Sequence, residues 1–487
     1  MVKLAKRLNI PNELVNETCE QFELMQARFA APGSQPMLHP LPLCNNNLRK
    51  DAKPEAKDAA RINIGKLRQR SKEEDPTGLS VMQRSSVIRT EALSWEGMLK
   101  SAFDTASSGG SFAELFRSDT LDGINSDISS MCMGVPFGVS QDIYVASRAC
   151  SWREGTELDA DAVASLKSKG AVPIGYVKHS PFDDRNLAPY AVAERSVPFA
   201  LSIDLLGSSL ADAARAGVIG MRPTYGTCSR MGLVCTAPSM QSLSLHSTDA
   251  HSLATVLEYV MHGEHNDCTS YRATLAGWYS YISKVNVSKR KLGLARNLLD
   301  MRSSPRATSE VIRSAELLSL MGTNVLDIEA PICNDKLLIR ALIAGESRYD
   351  DVVRLMRLDP ADLPLDKRCD ILLKHMLLND GTTLRNARCL RNLHAQNMER
   401  VLSDIDWFIC PTVYDDSSPS PALNSLSLAG ICGLTLPCGS TAEGNKLGLL
   451  LISRQLSEAN TLGLCNALES SNHRLKEVPR RGRRSKI

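Results

Sequence analysis

No stretch of this sequence approaches the roughly 18–20 consecutive apolar residues of a membrane-spanning helix. The longest candidates, 428–436 and 447–452, are strand-sized, so no membrane partner is expected. The opening MVKLAKRLNIPNEL lacks the apolar core of a secretory signal. Lys3, Lys6 and Arg7 do precede the first acid, Glu13, which keeps an organelle transit segment among the readings. The fourteen cysteines include no C-x-x-C pair. That argues against a zinc ribbon or a disulfide framework and fits reduced thiols in a cytosol or organelle matrix. The nine histidines form no H-x-x-x-H or H-E-x-x-H pair, so no metal is expected, and His262 and His265 read as a solvated helix end. Neither G-x-x-x-x-G-K-[ST] nor G-x-G-x-x-G stands in a strand–helix context, so no nucleotide cofactor is expected. There is no internal repeat. Lys+Arg 57 against Asp+Glu 54 leaves a net charge of only +3, which by itself points to neither nucleic acid nor membrane. With 43% hydrophobic and 23% charged residues over 487 positions, whole-chain disorder and fibrous architectures are excluded.

The distribution of charge and apolar residues says more. Residues 471–487 hold seven Lys/Arg and one Glu, so this tail carries +6 and the rest of the chain −3. Residues 1–75 read as an N-terminal extension. Asn12 caps a helix with Leu14, Phe22 and Phe29 on an apolar face, and APGSQPMLHPLPLCNNN then breaks regular structure. Residues 51–75 are charged and helix-prone, which fits a solvated helix or linker, or else a partner-binding helix. Residues 79–106 support one or two helices, followed by the SSGGS loop at 107–111. The main domain is expected over 76–470, with its grammar of short apolar strands alternating with helices beginning near 130. Strands are expected at 135–139, 171–174, 218–220, 291–295, 325–328 and 407–410, and helices at 159–169, 252–261, 309–321 and 386–402. The segments 1–50 and 471–487 are expected to lie outside the core.

Several stretches then line up, in order, with one family. Gly134-Val135-Pro136-Phe137-Gly138-Val139 resembles G-[IV]-P-[FI]-x-[VI], and Gly170-Ala171-Val172-Pro173-Ile174-Gly175 resembles G-A-V-x-I-G. Val197-Pro198-Phe199-Ala200-Leu201 resembles V-P-F-A-L, and Asp204 with Gly207-Ser208 falls on G-S-D-T-G-G-S-I-R. The most specific run is Gly217-Val218-Ile219-Gly220-Met221-Arg222-Pro223-Thr224-Tyr225-Gly226, followed by Ser229-Arg230-Met231-Gly232-Leu233-Val234. It is similar to G-V-V-G-L-K-P-T-Y-G and S-R-Y-G-L-V. Arg348-Tyr349-Asp350, Asp406 to Thr412, Leu428-Ala429-Gly430 and Leu436-Pro437-Cys438-Gly439 complete the set. Over roughly 130–470 the chain resembles the amidase signature family, in particular its glutamyl-tRNA(Gln) amidotransferase A subunits. The resemblance implies an α/β fold with a large mixed β-sheet and helices on both faces.

It also implies a Ser–Ser–Lys hydrolase, and here the residues diverge. In the family a serine attacks the amide, a second serine relays its proton, and a buried neutral lysine accepts it. The logic is physical: a hydroxyl is a poor nucleophile until a neighbouring base takes its proton, and a lysine is such a base only when burial lowers its pKa. Ser208 falls on the nucleophile. Ser140 falls on the lysine, V-K-D-N-I having become Val139-Ser140-Gln141-Asp142-Ile143. Counting back from Ser208 puts Asp184 on the relay serine, and the segment from Tyr176 to Ser196 has no glycine. The oxyanion stretch has become Leu205-Leu206-Gly207-Ser208-Ser209-Leu210, and burial of Leu205, Leu206 and Leu210 is expected to fill the former cleft. Two readings of Ser208 stand at this stage: a nucleophile served by a relocated base, with Lys178 the candidate, or a small residue in a tight strand-to-helix turn. Asp183-Asp184 and Asp350-Asp351 read as solvated acidic pairs. The tail cations Arg480, Arg481, Arg483, Arg484 and Lys486 read as a solubilising tail or as phosphate-binding residues for RNA. Ser427 and Cys432 replace the family's Asn and Pro in N-L-A-G-x-P. The sequence therefore leads to a catalytically degenerate amidase fold that works as a binding or scaffold subunit with protein partners, with RNA through the tail, no DNA and no cofactor. An organellar translation or ribosome-associated complex in the mitochondrial matrix is the expected setting, the cytoplasm the alternative. The rival readings are an active glutamyl-tRNA(Gln) amidotransferase component releasing ammonia from glutamine, or another amide hydrolase.

Overall fold

The computed structural model describes residues 2–29, 78–89, 94–116, 130, 132–149, 157–179, 185–261, 267, 269–270, 281–299, 304–346 and 365–477. Asp183, Asp184, His262, His265, Arg348 to Asp351, the charged stretch 51–75 and the tail cations Arg480 to Lys486 lie outside them.

Eleven strands among the described residues form one mixed sheet: β1 (Phe112–Leu115), β2 (Pro136–Ser140), β3 (Val172–Val177), β4 (Phe199–Asp204), β5 (Ile219–Arg222), β6 (Ser242–Ser247), β7 (Lys291–Ala295), β8 (Asn324–Ile328), β9 (Trp407–Pro411), β10 (Gly433–Ser440) and β11 (Lys446–Ser453). Their order is β1-β3-β2-β4-β6-β5-β10-β11-β9-β7-β8. β2 runs parallel to both β3 and β4, and β7 parallel to β8 and β9. The remaining pairs are antiparallel. β2, β3, β4, β5, β6 and β9 are buried at every residue. That is the signature of strands covered on both faces; in β6, SLSLHS, the buried positions include serines and a histidine held by hydrogen bonds.

The helices used below are α1 (Val2–Arg7), α2 (Asn12–Phe29), α3 (Asp161–Ser168), α4 (Ala188–Ala193), α5 (Ser208–Ala216), α6 (Ala250–Met261), α7 (Pro305–Leu320), α8 (Lys336–Glu346), α9 (Leu365–Asn379), α10 (Gly381–Asp404), α11 (Ala422–Ala429) and α12 (Glu458–Glu477). Alternation along β11 shows the two layers directly. Leu449 and Leu451 enter one cluster with Leu253 and Leu257 of α6, Val311 and Leu318 of α7, and Leu462 and Leu468 of α12. Leu450 and Ile452, on the opposite face, pack with Leu210 and Ala214 of α5, Met398 and Leu402 of α10, and Leu423 and Leu426 of α11. Each such side chain contributes about 1.5–3 kcal/mol by leaving water. The expected α/β fold with helices on both faces is the one observed.

Local boundaries follow local chemistry. The helix expected from Asp159 begins at Asp161, because the Asp159 carboxylate is engaged elsewhere. It accepts from the Ala146 N–H and from Lys167 Nζ, each at 2.8 Å. The apolar run 428–436 is not one strand: α11 ends at Ala429, Gly430 takes φ 66°, and β10 starts at Gly433.

The N-terminal expectation needs correction. Residues 2–29 do not stand apart from the domain. Met25 and Phe29 of α2 are buried among Leu338, Ala341 and Leu342 of α8, Leu373 and Leu377 of α9, and Ala387 of α10. Ala5 and Leu8, at and just after α1, meet Ile371 and Leu372 of α9. Gln26 donates to Asp380 at 2.8 Å and Arg28 pairs with Asp335 at 3.6 Å. The apolar face holding Phe22 and Phe29 is what docks this segment; it belongs to the packed domain. At the other end, the boundary placed at 471 falls inside α12, which continues to Glu477.

Candidate functional site

Parallel β3, β2 and β4 end side by side at Val177, Ser140 and Asp204. The carboxyl ends of parallel strands are where open α/β sheets place their ligand crevices. The three chain exits carry the residues of interest.

From β4 the chain turns through Leu205-Leu206-Gly207 into α5, which opens with Ser208. The turn needs two successive left-handed residues: Leu206 has φ 56° and Gly207 φ 75°. Only glycine fits at 207, where a Cβ would lie 2.5 Å from Leu423 Cβ on α11. Asp204 organises the turn from within. Its carboxylate accepts from Gly207 N–H (3.1 Å), Ser209 N–H (3.0 Å) and Ser209 Oγ (2.6 Å). Arg222 of β5 pairs with the same carboxylate at 2.5 Å, and both side chains are fully buried. Arg222 also donates to Ser427 Oγ (2.9 Å) and to the Met240 carbonyl (2.6 Å). Ser427, standing where the family has Asn, thus helps hold the guanidinium. Breaking a buried pair of this kind typically costs about 3–5 kcal/mol, because the remaining charge is stranded. Behind it, Ser202 Oγ lies 2.8 Å from His246 Nε2, and burial pushes the His246 imidazole down to about 3, so it is neutral.

Ser208 is half-buried, and its Oγ makes no hydrogen bond to any described residue. Ser140, at the end of β2, is fully buried, and its Oγ has no hydrogen-bond partner among the described residues. Lys178 is not a relocated base: it is exposed, and its Nζ donates to the Gly110 carbonyl at 2.8 Å. The cleft-filling leucines divide. Leu210 is fully buried, whereas Leu205 and Leu206 are only half-buried.

Four residues that sequence reasoning passed over meet beside these strand ends, one of them on α5. Asp142 follows β2 and His179 follows β3, with His179 Nε2 3.4 Å from Asp142 Oδ2. The His179 N–H donates to Gln141 Oε1 at 3.2 Å. His179 forms an isolated antiparallel bridge with Asn186, whose N–H donates to Asp212 Oδ2 at 2.7 Å. Asp212 sits one helical turn after Ser208 on α5 and pairs with Arg215 at 2.8 Å, while burial pushes its carboxyl above the ordinary range. Asp142 Oδ1, His179 Nδ1 and Asn186 Nδ2 are buried without hydrogen-bond partners among the described residues.

A mixed sheet of this order, with a left-handed strand-to-helix turn presenting a serine, is the amidase signature fold. The chain belongs to the amidase family, whose model matches residues 189–462. β2, with Ser140, lies N-terminal to that match. The chain is 26% identical over 318 residues to the glutamyl-tRNA(Gln) amidotransferase A subunit of Synechococcus sp. (strain CC9311), covering 58% of this chain and 65% of that protein. It is 24% identical over 434 residues to the corresponding amidotransferase protein of Streptococcus thermophilus (strain CNRZ 1066), covering 75% and 88%. Among solved structures, the native peptide amidase of Stenotrophomonas maltophilia superposes with a TM-score of 0.68 at 19% identity, covering 81% of this chain and 97% of that one. A 6-aminohexanoate cyclic dimer hydrolase gives 0.68 at 17% identity, with 82% and 98% covered. At these identities the structural likeness speaks for the fold.

Proposed function

We propose that this chain is a catalytically degenerate member of the amidase family that serves as a binding or scaffold subunit of a larger assembly of protein and RNA. The observation that carries the reading is Ser140, a fully buried hydroxyl at the strand end where the resembling motif has its lysine. A hydroxyl cannot take up a proton at neutral pH as an unprotonated amine does. Without base and relay, serine hydrolases retain only ~10³–10⁴-fold catalysis over water. The Asp204–Arg222 pair and the Leu423 contact on Gly207 support a turn kept for packing. The similarity to amidotransferase subunits and the arginine-rich C-terminal stretch favour protein partners and RNA, and a mitochondrial or other organellar translation complex is the setting proposed. The test is release of ammonia from glutamine, asparagine and simple primary amides by the full-length protein, alone and with the partners that co-purify with it. No turnover above a Ser208→Ala control is expected. Turnover that Ser208→Ala abolishes would overturn the reading.

A second reading has one observation in its favour. The Asp142–His179 pair, with His179 Nδ1 unpartnered among the described residues, gives an imidazole and an orienting carboxylate at the ends of β2 and β3. In an active hydrolase this imidazole would accept the Ser208 proton. His179→Ala would then abolish turnover along with Ser208→Ala.

A further inference from the structure

The two ends of the sheet are finished differently. At one end β1 breaks register between Phe112 and Glu114. Its Phe112 and Leu115 join a cluster with Leu99, Ala102 and Phe103 of the helix Trp95–Ser108, which covers that edge. At the other end β8 keeps register with β7 along its whole length, with no bulge. Among the described residues no strand lies beyond it. Its sequence, Asn324-Val325-Leu326-Asp327-Ile328, has no proline and no lysine, and Asn324, Leu326 and Asp327 are exposed. Bulges, prolines, lysines or a covering element blunt the edges of natural sheets, because a free row of N–H and C=O groups is a template for another strand. β8 carries none of these.

Leu326 is 37% exposed, and its in-register neighbour on β7 is Gly293, which offers no side chain to cover it. Charge is divided along the same edge. Lys291, at the start of β7, stands in register with Asn324, and the Lys289 N–H donates to the Gly322 carbonyl at 2.8 Å. Both lysines are exposed, and neither ammonium pairs with a carboxylate among the described residues. Asp406, the acid at this end, is taken by Arg290 at 2.9 Å. The far end of β8 carries acids. Asp327 pairs with Arg296 at 2.8 Å, and Glu329 is exposed and in no ion pair among the described residues. The edge is thus basic where β8 starts and acidic where it ends.

We propose that β8 pairs antiparallel with β8 of a second copy of this chain, about a two-fold axis at Leu326, so that the sheet continues from one molecule into the next. This goes beyond the proposed function and does not depend on it. In that register Leu326 meets Leu326 of the second copy, with Cβ atoms ~4.5–5.5 Å apart. Asp327 faces Val325, Asn324 faces Ile328 and Glu329 faces Thr323, so no like charges are opposed. Thr323 adjoins the Gly322 that anchors Lys289, so the acidic end of each copy lies on the basic end of the other. One surface supplies both complementary halves, as a two-fold interface requires. That self-complementarity favours a second copy over an unrelated extended segment. A short strand pair with flanking charges lies at the low end of interface sizes, so the dimer is weak and concentration-dependent.

The test is sedimentation velocity of the full-length protein over a micromolar concentration series, with urea denaturation of each variant as the folding control. The wild type should pass from monomer to dimer. Leu326→Lys sets two ammonium groups against each other at the axis and should abolish the dimer. Leu24→Lys, at an exposed leucine of α2, should leave it intact. Glu329→Lys should weaken association about tenfold, since symmetry makes the change twice. Adding Lys289→Glu and Lys291→Glu to Glu329→Lys should restore wild-type affinity. This exchange touches only exposed side chains, so it tests the register even if Leu326→Lys loses stability. A wild type that stays monomeric would overturn the proposal. A dimer that Leu326→Lys leaves intact would overturn it too, as would failure of the charge exchange to restore association, since a different face or register would then join the copies.

Discussion

Replacing Leu206 with glycine or with alanine separates two effects that the turn before α5 combines. Leu206 is half-buried and holds φ 56°. Losing about half of a leucine's burial costs roughly 0.75–1.5 kcal/mol on a scale of ~1.5–3 for the whole side chain. Glycine adds about 0.4–1 kcal/mol of unfolded-state entropy to be lost on folding. It also removes a Cβ from a left-handed conformation, worth about 1–2 kcal/mol. For Leu206→Gly these nearly cancel. For Leu206→Ala only the lost burial remains, because alanine keeps the Cβ. The expected order of stability is therefore wild type close to Gly, with Ala lower by about 1 kcal/mol. Urea denaturation followed by far-UV circular dichroism reads this as a displaced midpoint with unchanged slope. From the sequence alone, which lacks the backbone angle, Leu206→Gly is expected to destabilise. An alanine variant more stable than the glycine variant would refute the left-handed turn and the argument built on it.

Other predictions follow from the packing and the buried charges. Phe29→Ala should lower stability by about 3–5 kcal/mol, since the ring is fully enclosed between α2 and the domain; a denaturation midpoint equal to wild type would return α2 to the status of a loose extension. Arg222→Ala should cost about 3–5 kcal/mol by stranding Asp204, visible as loss of soluble protein or a large drop in urea midpoint, and a near-neutral effect would contradict the buried pair. Glu469 accepts the Ala250 N–H at 3.0 Å, and burial pushes its carboxyl up to about 8. Its folded-state value exceeds the unfolded one, so its contribution is fully present below about pH 4.5 and is lost as pH rises toward 8. Glu469→Gln should flatten that part of the stability–pH curve, and an unaltered curve would show that the group titrates normally.

How much was legible in the sequence differs from element to element. The strand expected at 291–295 coincides with β7, and Trp407 begins β9 as expected, because runs such as KLGLA and WFIC are short, apolar and bounded by polar residues. β6, with the sequence SLSLHS, carries no such signal. Its polar residues look solvated, but Ser244 meets Ser209 of α5 and the Met221 carbonyl, Ser247 donates to the Pro198 carbonyl, and His246 meets Ser202. β1 escapes for another reason: FAEL is an edge strand with half its residues exposed. At the site, motif and spacing single out Ser140 and Ser208, which stand at the end of β2 and at the start of α5. Asp142, His179, Asn186 and Asp212 are not singled out: they meet only when β2, β3 and α5 are brought together, and no one-dimensional spacing encodes that. Leu206 shows the limit of residue type, because a leucine at a left-handed position carries no local signal of its φ.

The measurement closest to the central claim is intact-mass analysis of the full-length protein after exposure to a serine-reactive fluorophosphonate, beside a Ser208→Ala control. On the proposed reading Ser140 stands in place of the family's lysine and Ser208 is not activated, so no adduct is expected on either protein. Stoichiometric labelling of the wild type that disappears in Ser208→Ala would contradict it, and loss of that labelling in His179→Ala would identify the Asp142–His179 pair as the base.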